Sequence, residues 1–381
     1  MTSQTRRNSK VFLLGEDAVR KNAGRQIPAL LAIFFLLLGV GLYNLYSASV
    51  GGHYFWAQLR NMSITMSAFF IFGWLIPIKK VNDYAYWIVG AVCLMLTVVL
   101  LLGKIAGGAQ RWISLGPIGF QPSEFAKLAT AIVVARFFAN HKSDLPYRIR
   151  DLLPMIGFVG LIFTLIFLQP DFGTAGVCLL IAASQMAFVR IDIKSIIMVL
   201  VASPIFAGIG WHLLLRPYQK LRILNLLNPN LDPQNTGYNS LQSLVAVGSG
   251  SLFGKGFMQG TQAHLKFLPE RHTDFVFSVF AEEHGFWGGM LIFVLFGALT
   301  LIALDIARSS KDTFSGMLAV GIAFFVFWEF TINIAMVLGI FPVVGLPLPF
   351  FSYGSSLLLT VCVGLGLLVS INRNTYGLSK K

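Results

Sequence analysis

The sequence predicts an all-α protein that crosses a membrane about ten times. Hydrophobic residues make up 56% of its 381 residues, 34 residues are Phe, and the mean hydropathy is +0.73. Soluble globular domains are less apolar than this. Only 12% of the residues are charged, and they gather between apolar runs of roughly 20 residues, the length that a helix needs to cross a bilayer. We therefore expect a polytopic membrane protein.

The formal net charge of +13 is best explained by the anionic surface of a membrane. The basic residues are scattered between apolar runs and form no long patch, so the pattern does not favour a nucleic-acid partner. Cys93, Cys178 and Cys362 all lie inside apolar runs and have neither disulfide-framework nor metal-ligand spacing. We interpret them as packing or lipid-facing residues.

Ten apolar runs have, or approach, the length of a spanning helix. Phe125–Ala139 and Ala175–Val189 are the shortest, at 15 residues each, and a run of that length need not cross a bilayer by itself. The charge distribution supports counting both. The predicted spans are Pro28–Ser47, Met62–Ile78, Tyr84–Gly103, Phe125–Ala139, Leu152–Leu168, Ala175–Val189, Ile196–Leu215, Phe275–Leu304, Met317–Ile340 and Tyr353–Ile371.

The positions of lysine and arginine predict which side of the membrane each connection faces. With ten spans, most of the 29 Lys and Arg residues fall in the two tails and in the connections on the same side as the tails. Because Lys and Arg are retained in the cytoplasm during insertion, we expect cytoplasmic tails at residues 1–26 and 373–381 and one transmembrane domain over 27–372. The connection over 216–274 is then extracytoplasmic, and it is too long for a simple turn.

This extracytoplasmic connection contains a glycine-rich stretch, Gly248–Gly256. Its backbone amides would suit a phosphate group, as in nest-type anion sites. Alternatively, the glycines provide a flexible turn between two amphipathic helices. The spacing alone does not decide between these two interpretations.

The stretch Leu268–Phe275 is the first candidate for chemistry. It is densely charged and leads directly into the apolar run that begins at Phe275. Asp274 is therefore a carboxylate at the edge of a hydrophobic span, and the predicted topology places it outside the cytoplasm.

A second polar cluster lies on the same side, before and at the start of the fourth span. It contains Arg111, and also Glu124 and Lys127, which are three residues apart and share a helix face about one turn after Pro122 or Ser123 starts the helix. These two residues either form an ion pair at the interface or line a polar cavity. Charges in a lipid-exposed span cost roughly 2.5–3.5 kcal/mol each near its centre, so we favour the cavity.

Two further clusters lie on this side. Asp171, which follows Gln169-Pro170, either only caps the sixth spanning helix or joins the site. The stretch Phe341–Ser356 contains three prolines and has the character of a broken helix. Non-helical backbone at membrane depth is tolerated only against protein or a water-lined cavity, so we expect this stretch to pack beside the site.

Other acidic residues are expected to have structural roles. Glu282 and Glu283 follow Asp274 by about two helical turns, and we predict no direct part in catalysis for them. Glu329 lies within the ninth span, four residues before Asn333 and on the same helix face. Intramembrane acids are functional candidates by default, but we expect Glu329 to be neutral, hydrogen-bonded inside the bundle and far from the site.

Taken together, the motifs of these clusters resemble the shape, elongation, division and sporulation (SEDS) family, from the first span to the last. Arg271 after Pro-Glu and the run Pro342–Pro347 are similar to the RodA-type branch, which acts in elongation. Ser355 stands where the family usually has a second glycine after Ser-Tyr-Gly. The motifs are Gly-Ala-Gln-Arg-Trp at 108–112, Gln-Pro-Ser-Glu at 121–124, Gln-Pro-Asp-Phe-Gly-Thr at 169–174, Leu-Pro-Glu-Arg-His-Thr-Asp-Phe at 268–275 and Ser-Tyr-Gly-Ser at 352–355.

The resemblance implies a ten-helix peptidoglycan glycosyltransferase of the bacterial plasma membrane. Such an enzyme polymerises lipid II during cell elongation and works with a class B penicillin-binding protein as its transpeptidase partner. The family's catalytic carboxylate matches Asp274, which would act as a general base. The residues implied in substrate binding are Arg111, Glu124, Lys127, Asp171, Arg271 and Ser352.

Within that set, Arg111, Lys127 and Arg271 would neutralise the diphosphate of the donor. A divalent cation, Mg or Mn, would share that work beside Glu124 or Asp171, although no ligand spacing in the sequence demonstrates a metal site.

Two alternatives belong to other functional classes. A lipid II flippase would use the same polar cavity as a path, but it would be expected to show internal repeats with paired broken helices, and the sequence shows no convincing repeat. A non-enzymatic scaffold of the wall-synthesis complex would leave the extracytoplasmic carboxylates unexplained.

Overall fold

The computed structural model describes residues 16–50, 52–106, 109–115, 118–228, 232, 236–265 and 267–376. They form a helical bundle with one small sheet, which confirms the predicted class of an all-α polytopic membrane protein. The helices are α1 (Glu16–Ala48), α2 (His53–Phe70), α3 (Ile78–Asp83), α4 (Ala85–Leu102), α5 (Pro122–Asn140), α6 (Ile149–Leu168), α7 (Phe172–Met186), α8 (Ile193–Ile209), α9 (Pro217–Leu227), α10 (Thr236–Ser249), α11 (Thr261–His264), α12 (Val276–Ser309), α13 (Thr313–Val337) and α14 (Ser355–Thr375). Helices α2 and α8 continue into π-helical turns at Ile71–Leu75 and Gly210–Leu214.

Each of the ten predicted spans overlaps one of these helices. Among the described residues, seven helices have both the length and the apolar composition of a membrane span, namely α1, α4, α6, α8, α12, α13 and α14. Helix α7 is apolar but has only 15 residues. Helix α5 has 19 residues and begins three residues before its predicted span, because Pro122 at the first helical position has a φ angle already suited to a helix.

A three-stranded antiparallel sheet occupies the connection between α4 and α5. Its strands are β1 (Lys104–Ala106), β2 (Ala109–Leu115) and β3 (Ile118–Phe120), in the order β1-β2-β3. We did not predict these strands from the sequence, since each has only three to seven residues. The sheet is relevant to the site because β2 contains Arg111.

Different sets of distant segments contact one another at the two ends of the bundle. At one end, Gln26 of α1 donates a hydrogen bond to Asp305 of α12, and Asn372 of α14 donates to Gln26. At the other end, Arg271 donates to the carbonyl of Ala48 at the end of α1. Segments predicted for the same side of the membrane therefore meet at the same end of the bundle.

Helices α13 and α14 lie in the centre of the bundle, whereas α8 lies at its edge. Most residues of α13 and α14 are buried, while the buried residue of α8 is Ser195. Helix α13 packs against α5, α7 and α12. The helices that carry buried polar side chains are thus enclosed by other helices, as membrane proteins require of such groups.

Candidate active site

Asp274 lies in the turn just before α12, and it is half-buried. Its backbone carbonyl accepts a hydrogen bond of 2.9 Å from Asn333 Nδ2, which also donates to the carbonyl of Leu346 at 2.7 Å. A Cβ atom added at Gly345 would lie 3.4 Å from Asp274 Oδ2, and Gly345 has a φ of +72°. The stretch predicted to pack beside the site therefore passes directly along the Asp274 carboxylate.

The turn that contains Asp274 is fixed by residues of the Ser-Tyr-Gly-Ser motif. Ser352 Oγ donates to the carbonyl of Thr273 at 2.6 Å and accepts from the backbone N–H of Leu348 at 2.7 Å. The N–H of Tyr353 donates to the carbonyl of His272 at 2.8 Å. The Ser352 side chain is thus buried and engaged with backbone groups, so in this structure it supports the turn.

Arg271 and His272 attach the same turn to the first two helices. Arg271 Nε donates to the carbonyl of Ala48 at 3.0 Å, and the guanidinium remains half-buried at the end of the bundle. The ring of His272 stacks on Tyr54 with centroids 3.9 Å apart. Burial lowers the pKa of His272 below its ordinary value. Arg271 is therefore a cation placed three residues before Asp274 at the same surface.

Lys127 forms a closed cluster of charges inside the bundle. Its Nζ donates to Glu124 Oε2 at 2.9 Å and also to Glu329 Oε1. The relative exposure of the side chain is 0% for Lys127, 4% for Glu124 and 0% for Glu329. Glu124 and Lys127 therefore form an ion pair, the alternative that we did not favour, and the pair is buried inside the bundle. The polar cavity that we favoured is not present at these side chains, because a third charged residue, Glu329, fills the space beside Lys127.

The expectation that Glu329 lies far from the site is also wrong. The predicted shared face of Glu329 and Asn333 is correct, and the structure shows that this face of α13 turns toward Lys127 on α5 and toward the Asp274 turn. The error arose because helix periodicity identifies which residues share a face but does not identify the helix that the face contacts. The available signal was the presence of an acid, Glu329, and a cation, Lys127, within predicted spans, because charged residues inside a helical bundle usually pair with one another.

Asp171 caps α7 and also contacts the start of α5, so it does more than cap a helix. Its Oδ1 accepts from the N–H of Thr174 at 3.4 Å at the start of α7. Its Oδ2 accepts from Gln121 Nε2 and Ser123 Oγ, each at 3.3 Å. Sequence reasoning did not identify these two partners. Asp171 is buried, and it connects the start of α7 to the start of α5.

Arg111 lies in β2, and its side chain is outside the part of the chain that the structure describes. The neighbouring strand β3 contacts the start of α14, because Ser355 Oγ donates to the carbonyl of Gly119 at 3.1 Å. Gly354 has a φ of 168°, which is extended backbone. The serine at 355, where the SEDS family usually has glycine, is accommodated as the first residue of α14 and joins that helix to the sheet.

The glycine-rich stretch forms a turn that follows α10 and packs against a break in α12, and its interpretation as a phosphate site stays a prediction. Gly285 has a φ of +65° inside α12, and the N–H groups of Lys255 and Gly256 donate to the carbonyls of Glu282 and Glu283, each at 3.0 Å. A Cβ atom at Gly254 would lie 2.1 Å from the Glu283 carbonyl oxygen. The glycines permit this close approach, and the amides are used within the protein.

Glu282 fixes the rest of this connection to α12. Its carboxylate accepts from Lys255 Nζ at 2.6 Å, from the N–H of Thr261 at 2.8 Å and from the N–H of Gln262 at 3.2 Å. Glu283 accepts from Ser47 Oγ of α1. These contacts agree with the structural role predicted for the two acids.

Two openings flank the site. One, of about 320 Å³, lies between α2, β3 and the start of α14 and is lined in part by Thr65 and Ser356. The other, of about 450 Å³, lies between α9, α10 and residues 339–343 and is lined in part by Arg222 and Ser240. The lining of the second opening includes Val343, which is two residues before Gly345, the glycine beside Asp274.

Comparisons with known proteins identify the family of the chain. The family model described as Cell cycle protein, FtsW/RodA/SpoVE, matches residues 28–377. Peptidoglycan glycosyltransferase MrdB of Escherichia coli (strain K12) is 39% identical over 318 residues, which cover 80% of this chain and 82% of MrdB. Stage V sporulation protein E of Bacillus subtilis (strain 168) is 35% identical over 368 residues, which cover 90% of this chain and 96% of that protein.

Solved structures share the fold. Rod shape determining protein RodA of Thermus thermophilus superposes with a TM-score of 0.66 at 26% identity, covering 91% of this chain and 96% of that chain. A chain from a structure described as coordinating polymerization and crosslinking by a peptidoglycan synthase complex gives a TM-score of 0.79 at 29% identity, covering 91% of this chain and 97% of that chain. The match over residues 28–377 and these identities show that the chain belongs to the FtsW/RodA/SpoVE family, the SEDS family whose RodA-type branch its motifs resemble.

Proposed function

We propose that this chain polymerises lipid II with Asp274 as the general base. The chain is a peptidoglycan glycosyltransferase of cell-wall synthesis, an activity supported by the relatives of that name that it matches over most of its length. The observation that carries the assignment of the base is the placement of Asp274. Its carboxylate is half-buried at the end of the bundle, in a turn fixed by Asn333 and Ser352.

The reaction requires a base at this position. The 4-hydroxyl of the acceptor sugar attacks the anomeric carbon of the donor, and the bond from that carbon to the undecaprenyl diphosphate breaks. Asp274 takes the hydroxyl proton, while the diphosphate leaves with the bonding electrons. A positioned general base contributes typically about 10²–10⁴-fold to a rate. A carboxylate at the membrane surface can meet both the lipid-linked donor and a sugar outside the hydrocarbon layer.

Positive charge is required at the departing diphosphate, where electrostatic stabilisation is usually the largest contribution to catalysis. Arg271 lies at the surface near Asp274 and is the first candidate, with Arg111 as a second. Lys127 is enclosed by Glu124 and Glu329, so it reaches a substrate only when those contacts open. Asp171, with Gln121 and Ser123, forms the adjoining polar wall.

The described residues do not form a ready site for a divalent cation. In this part of the chain no group of three or more His, Cys, Asp or Glu residues is placed to hold a metal ion, and Glu124 is already paired with Lys127.

A class B penicillin-binding protein is the proposed partner. The glycan strands made here must be crosslinked by a transpeptidase, and the SEDS resemblance implies a class B penicillin-binding protein in that role. The similarity to a chain from a peptidoglycan synthase complex that coordinates polymerization and crosslinking supports this pairing.

The protein is a multi-pass protein of the bacterial inner membrane, and we place both termini in the cytoplasm and Asp274 outside. The grouping of distant segments at two ends of the bundle and the excess of lysine and arginine in the tails support this orientation. With the native cysteines replaced, an impermeant thiol reagent should label Gln262→Cys in intact cells without an outer-membrane barrier and should spare Lys311→Cys. Labelling of position 311 without lysis would show that the orientation is the opposite of the one proposed.

The direct test of the function is polymerisation of lipid II by the purified protein, with and without a penicillin-binding partner. Asp274→Asn should lower the rate at least 10²-fold, since an amide is not a base, while lipid II binding remains. Asp305→Asn is the matched control, because Asp305 lies at the opposite end of the bundle and accepts a hydrogen bond from Gln26. Normal polymerisation by purified Asp274→Asn would overturn the proposal.

A further inference from the structure

One face of α13 connects the buried charge cluster to the Asp274 turn. Phe325, Glu329 and Asn333 follow one another at intervals of four residues and therefore share that face. Lys127 Nζ lies 5.8 Å from the centroid of the Phe325 ring and donates to Glu329. Asn333, about 6 Å further along the helix axis, contacts the Asp274 turn.

The amide of Asn333 joins two separate segments of the chain. An asparagine has two side-chain N–H donors, and both are used, one by the carbonyl of Asp274 at 2.9 Å and one by the carbonyl of Leu346 at 2.7 Å. The Asn333 side chain is fully buried. Gly345, directly before Leu346, is the residue whose Cβ would meet the Asp274 carboxylate. The amide therefore sets the distance between the carboxylate and the backbone that passes along it.

Other contacts fix the turn upstream of Asp274, so the contribution of Asn333 is distinct. Ser352 binds at Thr273 and Tyr353 binds at His272, whereas Asn333 binds at Asp274 itself. Helix α13 is in turn attached to α5 by the contact of Glu329 with Lys127. Asn333 is consequently a donor on a helix that is fixed by buried charges.

We propose that Asn333 is a positioning residue that places the Asp274 carboxylate for proton abstraction. This inference rests on the proposed function of Asp274. Displacement of a reacting group by about 1 Å can lower a rate about 10²-fold. Loss of the Asn333 donors should therefore reduce the rate of the chemical step and leave substrate binding nearly intact.

The test compares Asn333→Leu, which has a similar volume and no donor, with Asn333→Asp, which has the same shape and has an oxygen in place of the donating nitrogen. Asn372→Leu is the matched control, because Asn372 is equally buried and donates to Gln26 at the opposite end of the bundle. For each purified protein, kcat and KM for lipid II polymerisation and the apparent thermal midpoint are measured. The kcat is expressed per lipid II-binding molecule, so that unfolded protein does not lower it.

For Asn333→Leu we expect kcat to fall about 10- to 100-fold with KM within about threefold of wild type. Asn333→Asp should behave similarly, and Asn372→Leu should lower the thermal midpoint but preserve kcat. Wild-type kcat in both Asn333 variants, or an equal loss in Asn372→Leu, would overturn the inference. If those variants retain kcat while Asp274→Asn is inactive, only the inference fails. If Asp274→Asn is active, the proposed function fails as well.

Discussion

The two halves of the candidate site are held by different kinds of contact. In the interior half, Glu124, Lys127 and Glu329 contact one another through side-chain charges and are almost completely buried. In the surface half, the turn with Asp274 is held through its backbone carbonyls, which accept hydrogen bonds from Asn333, Ser352 and Tyr353, and Asp274 itself remains half-buried. The interior half fixes its charges by pairing them with one another, whereas the surface half fixes the residue that carries the carboxylate through its backbone.

This difference matches what each half has to do. A charge inside a bundle is strongly destabilising unless it is paired, and removing one partner of a buried pair costs about 3–5 kcal/mol. A general base must instead keep its carboxylate available for a proton. Backbone contacts suit this role, because they fix the residue through its carbonyl, and Asp274 stays half-buried instead of enclosed in the bundle.

Lys127→Met should have the largest effect on stability. It would leave Glu124 and Glu329 facing each other inside the bundle with no cation between them, so we expect a loss of about 3–5 kcal/mol and a large fall in the yield of folded protein. Lys255→Met is the matched control, because Lys255 also pairs with a buried carboxylate, that of Glu282. Its side chain is 28% exposed, and Glu282 keeps the Thr261 and Gln262 donors.

Apparent thermal midpoints of the two variants in one detergent check this prediction. The double variant Lys127→Met/Glu329→Gln should recover part of the loss, because it removes one of the two unpaired carboxylates. A midpoint of Lys127→Met no lower than that of Lys255→Met would show that the interior half is not held by its charges.

The interior half also shows what the sequence could and could not reveal. The spacing of Glu124 and Lys127 predicted that they share a helix face, because that is fixed by the helix alone, but the ion pair that they form was the alternative that we did not favour. Glu329 contacts Lys127 only because α13 packs against α5, and the approach of two helices depends on all the side chains between them. The third member of the cluster was therefore misplaced.

For the surface half, the sequence identified the right segments but not their contacts. The charged stretch before α12 and the proline-rich stretch before α14 were both predicted to belong to the site, and they meet at Asp274 and Gly345. The donors that connect them are Asn333 and Ser352, which act on backbone carbonyls. Every residue has such a carbonyl, so the sequence does not indicate which residue accepts the hydrogen bond. The strands β1 to β3 were not predicted, because each has only three to seven residues.

The smallest expected effect concerns pH and the surface half alone. Burial against Tyr54 lowers the pKa of His272 in the folded protein, with a weaker effect of Arg271 in the same direction and an opposing effect of Glu270. In the unfolded chain the pKa returns to its ordinary value of about 6.5. Above that pH the imidazole is neutral in both states and pH has no effect through it. As the pH falls below about 6.5, the unfolded chain binds the proton first, so the free energy of unfolding decreases until the folded-state pKa is passed.

His272→Phe retains an aromatic ring against Tyr54 and cannot bind this proton. Between about pH 6.5 and pH 5 the apparent thermal midpoint of the wild type should therefore fall more steeply than that of His272→Phe, and above pH 7 the two profiles should run parallel. Other groups titrate in this range in both proteins, so the difference between the two profiles isolates the contribution of His272. Parallel profiles over the whole range would show that the ring is not buried in the folded protein. A steeper fall in His272→Phe would mean that the folded turn favours the protonated ring, and the contact with Tyr54 would then need a different explanation.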